Sequence, residues 1–265
     1  MFPISLQEIP HEILNALGAV GKISFPRQGH TSDVGIIDTE KGRVVLKRTK
    51  GTHYNEWLKR ESFILKCLLQ TNLRVPKVYQ YVEREDKNQE MQSWILMECL
   101  PGETLRRTLT HENDPSARYD ILFQVGKSLR NLHMTPCPEE LKNEETWLDR
   151  MFKQAERHLG HFEVDGSPAL LESLKTARPA KIEQTLIHGD FTIDNVLVHE
   201  GSVSGMIDWS GAALGDPRYD VALAIRPKPH VFQTPLDYRA FFDGYGNRIT
   251  KEEYEYFANG LYAFF

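Results

Sequence analysis

Over the first hundred residues, apolar positions come in short runs separated by polar turns, the rhythm of strands joined by hairpins. "KISF" around Ile23, "VGIIDT" around Ile36 and "RVVLKR" around Leu46 each read as a strand. So do "KVYQYVER" and "SWILMECL", the second continuously apolar, as a buried strand would be. Among them, "YNEWLKRESFILKCLL" keeps a helical period that puts Trp57, Glu61, Ile64, Leu65 and Leu68 on one face. "PGET" then marks a turn. The pattern predicts a mostly antiparallel sheet with one helix, ending near residue 100.

Beyond that point the periodicity is mainly helical. Asp114 and Pro115 fit the N-cap and first position of a helix whose apolar positions are Ile121, Leu122, Val125, Leu129 and Leu132. Residues 139–178 are charged and helical in pattern, and Thr250 with Glu253 forms a capping box ahead of a terminal helix. Between these, "QTLIHGD", "NVLV" and "SVSGMIDW" read as a strand, a polar loop and a hairpin. The expected class is α+β in two lobes: residues 1–100 built on a sheet, residues 101–265 mainly helical.

Composition narrows the setting only slightly. With 265 residues, 40% hydrophobic and 26% charged, the chain resembles an ordinary soluble globular protein. A net charge of −5 argues against nucleic acid as a partner, since that role usually needs a basic face. No run of about 18 apolar residues offers a membrane span. The opening "MFPISLQEIPHEIL" also lacks the basic-then-apolar order of a signal peptide. The expected location is the cytoplasm. Cys67, Cys99 and Cys137 are too dispersed for a disulfide framework or zinc site, and read as reduced thiols.

Two placements carry chemistry. Glu61 sits within an apolar helical stripe, where a carboxylate needs a cationic mate. Lys47, the one charge in "VVLK", is the candidate, although a lysine at a strand edge can also snorkel. The second placement is "LIHGDFTIDNVLV", where Asp190 and Asn195 leave a strand five residues apart and Asp208 follows a hairpin. A carboxylate with an amide oxygen is a hard-oxygen set that Mg²⁺ accepts, with phosphate oxygens and waters completing its shell. A cation for phosphates, a metal and a positioned base are the parts phosphoryl transfer requires. Taken one at a time, these residues also suit ordinary turns.

"HGDFTIDN", "MIDW" and "LGDPRYD" together resemble the aminoglycoside phosphotransferase and choline kinase-like family, relatives of the protein kinases. The resemblance runs from about residue 20 to at least residue 225. It implies a protein-kinase-like fold with Asp190 as catalytic base, and with Asn195 and Asp208 as Mg²⁺ ligands. Lys47, paired to Glu61, would hold the α- and β-phosphates of ATP. "MECL" would be a hinge whose backbone at Glu98 and Leu100 meets adenine. Asp220 would brace the catalytic loop, and His188 would be structural. "RQGHTSDVG" departs from a G-x-G-x-x-G loop, so Gly29, His30, Thr31 and Ser32 would cover the phosphates with backbone and hydroxyl donors. Asp194 is expected to cap its turn.

Only seven residues, "WSGAALG", separate Asp208 from Asp216. That is too short for a peptide-receiving segment and points to a small molecule bearing a hydroxyl. The carboxylates of 139–178 are interleaved with Lys and Arg, the pattern of a solvated helix face rather than of a receptor for a polycation. The aromatic end "EYEYFANGLYAFF" reads as core. The predicted activity is ATP-dependent phosphorylation of such a molecule. A nucleotide-binding regulator without catalysis and a metal-dependent phosphohydrolase are the alternatives.

Overall fold

Strand alternation sorts the side chains of "VVLKRT" onto two faces. In the computed structural model, which describes residues 4–26 and 31–265, this segment lies in a five-stranded antiparallel sheet. The strands are β1 (Val20–Ser24), β2 (Asp33–Thr39), β3 (Gly42–Lys50), β4 (Val78–Glu85) and β5 (Met91–Glu98), in the order β1-β2-β3-β5-β4. Leu46 and Arg48 of β3 point to one face, where Leu46 joins Ile13, Leu17, Ile37, Trp94 and Leu96 in a core cluster. Arg48, 1% exposed, pairs there with Asp33 and Glu8 and lies over the Trp94 ring. Lys47 and Thr49 point to the other face, toward α2 (Thr52–Leu68).

Two details depart from the sequence reading. A further helix, α1 (His11–Leu17), precedes the sheet and buries Ile13 and Leu17. Bounded by Pro10 and Gly18, it is too short for its periodicity to stand out. On α2, Trp57 is only half-buried, while Leu58 and Ser62 are buried beside Glu61, Ile64, Leu65 and Leu68. Asn55 pins this helix to the sheet: its amide donates to Met91 O (2.7 Å), and its oxygen accepts from Thr49 Oγ1 (2.7 Å) and Ser93 N (3.1 Å).

The chain divides into two units, Met1–Leu100 with Asp208–Ser210, and Pro101–Ile207 with Gly211–Phe265. The second is mainly helical. It contains β6 (Glu103–Thr104), α3 (Leu105–His111), α4 (Pro115–Met134), α5 (Trp147–His161) and α6 (Pro168–Thr176). Then come β7 (Thr185–Ile187), β8 (Val196–His199), β9 (Ser202–Met206), β10 (Ala213–Gly215), α7 (Pro217–Ala224) and α8 (Pro235–Tyr245). The end is α9 (Lys251–Tyr254), a π-helical turn over Glu255–Gly260 and a 3₁₀ turn over Leu261–Phe264. β6, β8 and β9 form one small sheet, and β7 pairs with β10. An antiparallel sheet followed by a mainly helical remainder is the expected α+β class.

Asp114 caps α4 through Ser116 N (3.0 Å), and Thr250 and Glu253 form the expected reciprocal capping box. The aromatic end is core: Phe257, Leu261 and Phe264 pack with Trp147, Phe152 and Tyr219. Within 139–178 only α5 and α6 are α-helical. No helix among the described residues is long and apolar enough to cross a membrane.

α4 and α8 touch backbone to backbone because each presents a glycine. A Cβ on Gly126 would lie 2.0 Å from Phe241 O, and one on Gly244 would lie 2.0 Å from Phe123 O. Gly160 in α5 has nothing within 4 Å of such an atom. Glycine-to-alanine changes should therefore have opposite signs at the two sites. In urea denaturation, Gly126→Ala is expected to cost about 3 kcal/mol, by overpacking. Gly160→Ala should gain up to about 1 kcal/mol, by helix propensity. Equal effects would show that the α4–α8 contact is not as close as described.

Candidate active site

In the first unit Lys47 stands between two carboxylates. Its Nζ bonds both Glu61 oxygens, at 2.8 and 3.0 Å, and also Asp208 Oδ1. The Lys47 and Glu61 side chains are 8% and 6% exposed, so this is a buried pair rather than a snorkelling lysine. Burial works against the ammonium, but Asp208 and Glu61 outweigh it and hold its pKa above the ordinary lysine value. Burial pushes Glu61 upward, opposed by Lys47 and reinforced by the negative charge of Asp208. Asp208 occupies the left-handed region with φ +63°, uncommon for a residue with a side chain. The segment that carries it is docked on α2, where Arg60 Nε donates to Ser210 O at 2.7 Å.

The second unit builds the loop after β7. Asp220, fully buried on α7, accepts from the backbone N–H groups of His188 (2.6 Å) and Gly189 (2.9 Å). The Asp190 N–H meets His188 Nδ1 at 3.3 Å, and His188 Nε2 meets Ile207 O at 2.9 Å. A carbonyl can only accept, so the ring carries its proton on Nε2. Gly189 explains why no side chain stands before the aspartate. Its φ is +79°, and a Cβ there would lie 2.2 Å from Gly211 O.

Within this frame Asp190 is held at both carboxylate oxygens. Asn195 Nδ2 donates to Oδ2 (2.8 Å) and to the Asp190 carbonyl (2.8 Å), while the Tyr262 hydroxyl donates to Oδ1 (3.2 Å). With both amide hydrogens spent on Asp190, the Asn195 side-chain oxygen accepts no hydrogen bond among the described residues. Tyr262 was not expected here. It comes from the C-terminal 3₁₀ turn, 72 residues from Asp190. Burial and the neighbouring Asp190 charge raise its pKa, with Arg226 opposing, so it stays a donor.

Asp194 does not cap the turn. Its carboxylate takes Arg106 Nε and Nη2 in a fork at 2.6 Å each, while the turn closes through its own backbone, Thr192 N to Asp190 O and Asn195 N to Thr192 O. The two side chains are 88 residues apart in sequence, so no local pattern could announce the pair. In β5, the Glu98 N–H is taken by Lys77 O (2.8 Å) and its carboxylate by Arg74, while Leu100 is buried. Thr31 is exposed and Ser32 half-buried, just ahead of β2; Gly29 and His30 lie outside the described residues.

The family model described as "Phosphotransferase enzyme family" matches residues 22–257. The chain belongs to this family. Among its relatives, a homoserine kinase of Neisseria meningitidis serogroup B (strain ATCC BAA-335 / MC58) is 28% identical over 256 residues, covering 91% of this chain and 79% of that protein. An aminoglycoside 3'-phosphotransferase of Escherichia coli is 26% identical over 161 residues, so the chain spans only 57% of that relative's length. Among solved structures, that of an aminoglycoside-3'-phosphotransferase of type VIII superposes with a TM-score of 0.73 at 21% identity, covering 97% of this chain and all of that one. The phosphotransferase fold, a sheet-based N-terminal part and a helical C-terminal part, is thus shared.

Asp220→Ala would leave the buried His188 N–H and the half-buried Gly189 N–H without their acceptor, at a cost of about 1–3 kcal/mol for a buried group. The variant should lose about 3 kcal/mol in urea denaturation, and amide exchange should accelerate at His188 and Gly189. Unchanged protection of those two amides would show that Asp220 is not their brace.

Proposed function

We propose that the protein transfers the γ-phosphoryl group of ATP to a hydroxyl of a small molecule, with Asp190 as the general base. The observation that carries this reading is the pose of Asp190. Its carboxylate is fixed by Asn195 and Tyr262 on a loop that is itself held by Asp220. Membership of the phosphotransferase family supplies the reaction class. On this reading residues 1–100 are the nucleotide-binding lobe, and residues 101–265 are the catalytic and substrate-binding lobe.

In the proposed reaction Lys47, kept charged by its two carboxylates, offsets the α- and β-phosphate charge. Asp190 accepts the proton of the acceptor hydroxyl as its oxygen bonds to the γ-phosphorus. The bond between that phosphorus and the β,γ-bridging oxygen breaks, and ADP leaves. Most of the rate gain is positional and electrostatic. The Glu98 N–H is already committed to Lys77, so adenine recognition there would fall to the Glu98 carbonyl, together with the backbone of Leu100. Gly29, His30, Thr31 and Ser32 are assigned to covering the phosphates.

The donor chemistry of Asn195 and Asp208 fits Mg²⁺. One is a side-chain amide oxygen left without a hydrogen, the other a carboxylate, and no cluster of three or more His, Cys, Asp or Glu among the described residues forms an all-protein cage. When bound, the ion would supply charge neutralisation at the phosphate oxygens.

The test is mass spectrometry of the purified protein with Mg·ATP, a metabolite extract and a panel of aminoglycosides. A compound gaining one phosphoryl group is expected with the native chain, falling at least about 100-fold with Asp190→Asn. Near-normal turnover in that variant would remove Asp190 from the role of base. Inorganic phosphate released without any acceptor would favour a phosphohydrolase.

A further inference from the structure

Tyr262 has a second neighbourhood besides Asp190. It lines a cavity of about 90 Å³ in the second unit with Arg106, Thr192, Asp194, Arg226 and Lys228. The ionisable groups on its walls are three cations, one carboxylate and the Tyr262 phenol. Arg106 is paired in the fork with Asp194. Arg226 lies with its guanidinium 4.6 Å from the centre of the Tyr262 ring, and among the described residues neither Arg226 nor Lys228 forms an ion pair. Burial lowers the Lys228 pKa, and the charges of Arg226 and Arg106 lower it further, with Asp194 opposing. Two half-buried cations without an ion pair among the described residues, beside a base fixed for reaction, form a field that an anion relieves.

Several carboxylates of 139–178 that could have welcomed a polycation are already paired. Glu139 is bound to Lys142, Glu145 to Lys153, Asp149 to Arg178 and Glu156 to Lys175. These four pairs follow the interleaved surface pattern expected of 139–178.

We infer that the acceptor is an alcohol that also carries an anionic group, a carboxylate or a phosphate ester, seated against Arg226 and Lys228. This rests on the proposed phosphotransfer at Asp190, because that reading makes the cavity the neighbour of the reacting hydroxyl. The short path from cavity to base through Tyr262 suits a compact molecule whose anionic end anchors while its hydroxyl meets Asp190. A polycationic aminoglycoside would bring like charge to the same wall.

The experiment is a set of matched acceptors offered with Mg·ATP. Short hydroxycarboxylates are compared with their amides, phosphorylated alcohols with their unphosphorylated parents, and both with amino alcohols and an aminoglycoside. ADP release and product mass are followed for the native chain, Lys228→Gln and Arg226→Gln, with Asp190→Asn as the blank. Anionic acceptors should exceed their neutral partners by about tenfold or more in kcat/KM, the size of one charge-assisted contact. Whether carboxylates or phosphate esters lead identifies the group. Each cation variant should raise the acceptor KM by a similar factor while leaving the KM for ATP nearly unchanged. Neutral or cationic acceptors used as well as anionic ones would overturn the inference and leave the phosphotransfer reading standing. So would variants that move the KM for ATP instead. If nothing in the panel gains phosphate in an Asp190-dependent way, the phosphotransfer reading falls, and the anionic acceptor with it.

Discussion

The ammonium of Lys47 is the group on which the first unit depends. An unpaired charge buried to this degree would cost several kcal/mol, so its surroundings must compensate it. Strand alternation in β3 sends it to the α2 face, away from the apolar cluster that receives Leu46. There it fixes which residue of α2 can face the sheet, because only a carboxylate satisfies it, and Glu61 is that residue. The same ammonium holds Asp208, a residue in a strained backbone conformation that needs an over-determined setting. Helix register, strand face and the pose of Asp208 are therefore one electrostatic arrangement.

The second unit solves the converse problem with a buried anion. Asp220 is compensated by backbone amides of the loop after β7 and by His133, whose Nε2 lies 3.4 Å away. Because Gly189 can take a left-handed conformation and lies against Gly211, the chain turns sharply enough to present Asp190. Asn195 and Tyr262 then limit where its carboxylate can point. Asn195 is tied back to the chain before Asp208, since Ile207 N donates to Asn195 O at 3.0 Å. Pre-organisation of this kind reduces what must be ordered when a reaction begins.

What could be read from sequence follows the range of the interactions. Alternation and helical period reveal strands β1 to β5 and helix α2, and the Asp114 and Thr250 caps lie within a few residues of what they cap. The Lys47–Glu61 pair was legible because each charge interrupts an apolar pattern. The fork between Arg106 and Asp194, the hydrogen bond from Tyr262 to Asp190 and the cationic wall of Arg226 and Lys228 join distant segments. They leave no periodic trace. Helix α1 escaped for another reason: seven residues between Pro10 and Gly18 are too few to display a stripe. Trp57 shows the same limit in reverse, since a wheel gives a face but not how deeply each position on it is covered.

The central claim is a division of labour, with Asp208 serving the nucleotide and Asp190 serving the acceptor. Titration calorimetry of Mg·ADP against the native chain, Asp208→Asn and Asp190→Asn tests it without knowledge of the acceptor. Asp208→Asn should weaken nucleotide binding at least about tenfold, the loss of one good contact of roughly 1.4 kcal/mol. Asp190→Asn should bind within a factor of about three of the native chain, a difference below 1 kcal/mol. Equal weakening in both variants, or native chain that binds no Mg·ADP, would contradict it.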